Sequence, residues 1–168
     1  MFNTLEAADN YARSGDITGV PLDQVAALLP PKIKHFAPIG VHLGYRYEGS
    51  PLIVPDGTPA PPMETASYTP TARPGHRAPH AWMKDGRSTL DLFGREFTLL
   101  CFGPDPPRVE FANIPIAIVD IDDPKIAGLY ERRLVLVRPD GHVAWRGDNP
   151  PADARAVADM VRGINTGP

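Results

Sequence analysis

The chain has 168 residues, 42% hydrophobic and 22% charged, with a formal net charge of −3 and a pI near 5.9. That is the size of one ordinary domain plus an arm, and the composition is that of a folding chain. The acidic balance and the lack of any basic run argue against a nucleic-acid or anionic-membrane binder, and the single cysteine, Cys101, excludes an internal disulfide or a cysteine zinc cage.

The opening stretch MFNTLEAADNYARSGD carries acids early and no apolar core, so it does not read as a signal peptide. No apolar run approaches the roughly 20 residues a bilayer span needs. The expectation is a cytoplasmic protein. Residues 3–14 fit a short helix with Asn3 or Thr4 as cap and Gly15 after its end. Residues 21–29, PLDQVAALL, fit a second, opened by a proline and stopped by Pro30-Pro31. KIKHFAPIG offers a helical turn at best. HLGYRYEG, residues 42–49, is aromatic and predicts a strand.

Prolines number 21 and crowd residues 51–80 and 104–115. Proline fixes φ and removes a donor, so these stretches predict ordered extended loops. Beyond them the pattern changes. STLDLF (88–93) alternates, with Leu90 and Leu92 on one face. FTLLCF (97–102) and IPIAIVDI (114–121) are continuous apolar runs of the kind buried on both faces. DPKIAGLYER predicts a short helix with Asp123 as cap and Pro124 in its first turn. LVLV (134–137) and HVAW (142–145) flank Asp140-Gly141, a hairpin signal. PADARAVADMVRGI (151–164) is amphipathic, with Ala154, Val157, Val161 and Ile164 on one face. Strand, strand, helix, hairpin, helix predicts an α/β fold with a mixed sheet.

That order resembles the thioredoxin fold, and LVLVRPDGHVAWRG is similar to its terminal hairpin. The redox centre of a working thioredoxin is not carried over: GPDPP (103–107) stands where Cys-x-x-Cys would, and Glu131-Arg132-Arg133 where the cis-proline would. Cys101 reads as a small core residue.

Longer segments carry a more specific resemblance. GYRYEGSPLIVPDG (44–57), YTPTARPGHRAPHAWMKDGRSTLDLFG (68–94), FTLLCFG (97–103) and LVLVRPDGHVAWRG (134–147) resemble the tail of the FAD-dependent aromatic hydroxylases, single-component flavoprotein monooxygenases. The likeness covers about residues 36–164. It implies a thioredoxin-like domain without redox cysteines, whose full-length relatives use FAD. The family's FAD-binding G-x-G-x-x-G is not found in this sequence, and Gly147-Asp148 follows the hairpin, out of context for a ribityl contact. The helix that family tails carry after the FTLL strand is replaced by GPDPPRVEFAN, with three prolines.

The expected organisation is a helical arm (1–43), a strand with a proline-rich ordered loop (44–85) and a thioredoxin-like core (86–168). His76 and His80 are spaced for one helix face, but Pro79 and Pro74-Gly75 disfavour a helix, and zinc needs further ligands. Asp85 and Asp91 lie near in sequence, as carboxylates in solvated turns commonly do. The favoured reading is an ordered lead-in in which Arg77, His80 and Trp82 satisfy loop backbone and pack on the sheet. Arg138, Asp140, Trp145 and Arg146 form a second group, read as hairpin chemistry in which Asp140 makes the turn, Trp145 packs and the arginines cover apolar surface. Asp120, Asp122 and Asp123 read as a strand end and a helix cap rather than a cation cluster. Tyr45 and Tyr47 fit edge packing or stacking on an aromatic ligand.

Together Tyr45, Tyr47, His76, Arg77, His80, Trp82, Arg138, Asp140, Trp145 and Arg146 are the candidate interaction or ligand patch, with no catalytic, cofactor or metal residue assigned. The expected function is a non-catalytic module serving oligomerisation or docking to a flavoprotein monooxygenase, with no FAD on this chain and a homodimer as the assembly. The alternative is a protein that binds an aromatic small molecule, or part of a hydroxylase, in its own right.

Overall fold

FTLLCF forms the centre of the molecule. The computed structural model describes residues 38–164, so the two helices expected at 3–14 and 21–29 lie outside the described residues. Strand β1 (Phe97–Phe102) runs parallel to β2 (Ile116–Ile121) on one side and antiparallel to β3 (Leu134–Val137) on the other. Strand β4 (Val143–Gly147) pairs antiparallel with β3, giving one four-stranded sheet in the order β2-β1-β3-β4. The hairpin expected at Asp140-Gly141 is present. Gly141 has φ 79°, a backbone that glycine tolerates best, and Asp140 Oδ1 accepts from the His142 amide at 3.1 Å.

Alternation puts the sheet's side chains into two cores. Leu99, Cys101, Leu134 and Leu136 pack with Val157, Ala158 and Val161 of the closing helix and with Val109, Phe111 and Ile114. Leu100, Phe102, Val135 and Val137 pack with Ile126 and Tyr130 and with Ala72 and Ala78 of the proline-rich segment. The apolar run of β1 is thus explained by burial on both faces. Helix α1 spans Ile39–Gly44, helix α2 Pro124–Tyr130 and helix α3 Ala154–Val161. Asp123 caps α2 by accepting from the Lys125 and Ile126 amides, as expected, and Asp153 caps α3 through the Ala156 amide.

Four local readings change. HLGYRYEG is not a strand: α1 runs to Gly44, and residues 45–47 make one isolated bridge, Arg46 to His76. Gly40 fixes the helix against the loop, since a Cβ there would lie 1.7 Å from the Glu64 carbonyl oxygen. STLDLF forms a 3₁₀ turn (Thr89–Leu92), because Ser88 and Asp91 close a reciprocal capping box that outweighs the alternation. IPIAIVDI starts its strand only at Ile116 and lies at the sheet edge, leaving Ile118 half exposed. The closing helix is shorter than its sequence pattern, and Ile164 falls beyond it, exposed.

The segment 103–113 contains no helix and crosses from β1 to β2 as a loop that buries Val109 and Phe111. On the far side, the outer edge of β4 is occupied. Gly75 N–H donates to Val143 O at 2.8 Å, Val143 N–H to His76 O at 2.9 Å and Val54 N–H to Ala144 O at 2.9 Å. The proline-rich segment therefore closes one sheet edge with its backbone, an arrangement that protects a strand from non-native pairing.

Candidate functional site

Two polar groups are assembled where this segment meets the hairpin. The first surrounds Arg146, which is buried. Its Nε donates to Asp56 Oδ2 at 2.7 Å, its Nη1 to Glu131 Oε2 at 2.9 Å and its Nη2 to Thr58 Oγ1 at 3.3 Å. Glu131 is positioned by the C-terminal cap of α2, where its φ is 66°. Burial works to raise the Asp56 carboxyl, but the hydrogen bonds from Thr58 and Arg146 outweigh it and hold it below the usual carboxylate range. The reading of Arg146 as a cover for apolar surface is corrected. It is the buried hub joining residues 56–58, α2 and β4, an ionic group whose worth lies in complete pairing.

The second group centres on His142, which stands between Tyr45 and Tyr47 with ring centroids 5.0 and 4.7 Å away. The Arg138 guanidinium lies 5.8 Å from the centre of the Tyr47 ring and pairs with Asp140 at 3.0 Å. His76 lies beside this group, bridged through its backbone to Arg46 and Val143. His76 and His142 are 5% and 1% exposed, and neither ring nitrogen of either has a hydrogen-bond partner. Burial pushes both imidazoles down. At His76 the Arg73 and Arg46 charges add to that, and at His142 Asp140 works against it.

The remaining candidates separate. Arg77 bridges His142 through backbone only. His80 is exposed and meets Trp82 edge-on, 5.0 Å between centroids. Trp82 is 70% exposed, so its expected packing on the sheet is overturned: Met83, its neighbour, takes the inward position. Trp145 packs on Phe111 in the first core, as its hairpin reading requires. Asp120 is held by Arg108 in a two-pronged pair at 2.7 and 2.9 Å. Among the described residues no three metal-ligating side chains converge. His142, Asp56 and Glu131 were not singled out by sequence reasoning. His142 was legible only as a strand residue, and Asp56 lies 90 positions from its partner.

A groove of about 620 Å³ lies between residues 51–55 and α3. Its lining carries Asp153 and Asp159 together with Arg155, and the Asp153 side chain takes the Ala156 amide of α3. Two carboxylates against one guanidinium make this groove a poor match for a flavin pyrophosphate, which is held by free amides at a helix N-terminus.

Comparison with known proteins now bears on this geometry. The family described as aromatic-ring hydroxylase, C-terminal, matches residues 71–165. The chain belongs to this family. The chain is 35% identical over 122 residues to the FAD-dependent monooxygenase opdD of Penicillium oxalicum, covering 66% of this chain and 23% of that protein. It is 36% identical over 134 residues to the FAD-dependent monooxygenase apdD of Emericella nidulans, covering 68% and 21%. The substrate-free rebeccamycin biosynthetic enzyme RebC has a TM-score of 0.66 and 35% identity, covering 95% of this chain and 33% of that one. The chain therefore spans between a fifth and a quarter of the length of these curated relatives.

Proposed function

We propose that this chain acts as a non-catalytic, thioredoxin-like module that holds no flavin itself and serves assembly, as a homodimer or docked on an FAD-bearing hydroxylase portion. One observation carries the reading: residues 71–165 match the C-terminal domain of aromatic-ring hydroxylases, and the groove beside α3 presents Asp153 and Asp159, a poor match for a pyrophosphate. The exposed Trp82, Tyr45, Tyr47 and Ile118 support it, being large apolar groups that protein partners commonly cover. Thiol chemistry is disfavoured by burial, which raises the Cys101 thiol. The module operates in the cytoplasm in this reading; among the described residues no helix is long and apolar enough to cross a membrane.

Light scattering of the intact chain at micromolar concentration tests the assembly. The expected mass is about twice the 18.2 kDa of one chain. A monomer that also fails to bind a tail-less FAD-bearing hydroxylase portion would refute the reading.

A further inference from the structure

Two buried imidazoles with no hydrogen-bond partner are unusual, because buried polar side chains are nearly always paired. Both lie beneath the same short segment. Tyr45 and Tyr47 cover His142 with their rings, and Arg46 bridges His76 with its backbone. We infer that residues 45–48 form an acid-released lid: protonation of His76 and His142 drives the segment off the sheet and exposes the hairpin face beneath.

The Pro74 backbone at His76 and Asp140 at His142 favour a proton, but burial and the neighbouring guanidiniums outweigh them while the lid is closed. His76 faces Arg46 and Glu48 of the lid, Arg73 of its own loop, and Glu64 and Tyr68 across a cavity of about 30 Å³. Glu48 is already engaged, accepting from Arg73 Nη2 at 2.9 Å and pairing with Arg46 Nε at 2.9 Å. Two guanidiniums thus compete with a new imidazolium for one carboxylate. At His142 the near acid is Asp140, 3.5 Å from Nδ1, and Arg138 holds it at 3.0 Å. Arg138 also lies over the Tyr47 ring, so an imidazolium against that ring meets a cation already placed there. A buried charge whose nearest carboxylate is already shared is better accommodated in water.

The lid is lightly tied. Tyr47 N–H donates to Gly75 O at 3.0 Å, and Arg46 Nη1 donates to Pro61 O at 2.8 Å. The Glu48 carboxylate is half exposed, so its pairing is screened. Tyr45 and Tyr47 are each about 40% exposed. Lifting this segment leaves both sheet cores in place, since none of its residues belongs to either.

Amide hydrogen exchange on the intact chain tests the lid between pH about 7.5 and about 5, a range that spans ordinary histidine titration. The protection factor of the Tyr47 amide is expected to fall by about tenfold or more on acidification and to stay well below that of the β1 amides, which exchange through global unfolding. In the double variant His76→Gln, His142→Gln that fall should vanish. Tyr47 protection that ignores pH, or that equals β1 protection throughout, would overturn the inference, as would an unchanged fall in the double variant. Should that variant not fold, NMR titration of the two imidazoles in the unmodified chain decides. Titration below about 6.5, together with loss of Tyr47 protection, upholds the lid, and titration at or above that value overturns it.

Discussion

Arg146 and Asp56 lie 90 positions apart in sequence and meet at 2.7 Å, with the guanidinium almost wholly out of water. This contact fastens the proline-rich segment to the hairpin and leaves Asp56 ionised in a half-buried setting.

Arg146→Met is therefore expected to destabilise the chain by about 3 kcal/mol, because it strands Asp56 without its partner. Urea denaturation should show a lower midpoint with an unchanged slope. The double variant Arg146→Met, Asp56→Leu should recover part of that loss, since the orphaned charge is gone. A single variant as stable as the parent would show that the pair contributes nothing.

Stability should fall with acid in two ranges. His76 and His142 have folded values below the ordinary 6.5, so the unfolded chain binds protons first as pH drops through that value. Their contribution is complete above about pH 6.5 and is lost below it. Asp56 is depressed below 3.8, so its contribution persists above that value and disappears in stronger acid. Urea midpoints measured across this range should decline as pH falls from neutrality. A midpoint that rises between neutral pH and about pH 5 would contradict the burial of neutral imidazoles.

Cys101 should resist labelling. Its side chain is sealed in the first core, and burial and then the Asp120 charge raise the thiol, against the opposing Arg108. A thiol reagent at neutral pH should react slowly with the native chain and rapidly after denaturation. Comparable rates in both states would place the thiol at the surface.

Tyr130→Phe removes a hydroxyl that donates to Pro79 O at 2.7 Å inside the second core. Thr89 Oγ1 also donates to that carbonyl, at 2.9 Å, so the acceptor is not left bare. The expected cost is about 1 kcal/mol. Calorimetry showing a loss several times larger would mean the hydroxyl secures more than this one bond.

The sequence made the centre of the fold legible and its margins less so. β1, the Asp140-Gly141 hairpin and the Asp123-capped helix each obey a local rule: a two-sided apolar run, a turn dipeptide, an oxygen cap. Where a long-range or competing contact decides, local pattern misleads. β2 is as apolar as β1, yet a loop rather than a helix precedes it and it ends at an edge with Ile118 half exposed. Ser88 and Asp91 turn an alternating stretch into a 3₁₀ turn. Trp82 reads as a core residue by type and is mostly in water. The Arg146 hub had no local signal, because its carboxylates come from a distant loop and from a helix cap. The resemblance to hydroxylase tails was carried by long ordered segments and is matched by the family assignment over residues 71–165.

Equilibrium dialysis of the purified chain against FAD tests the central claim most directly. A module that depends on another polypeptide portion for its flavin should leave FAD at equal concentration on both sides, with no visible flavin absorption retained by the protein. Stoichiometric retention of FAD by the chain alone would contradict the account.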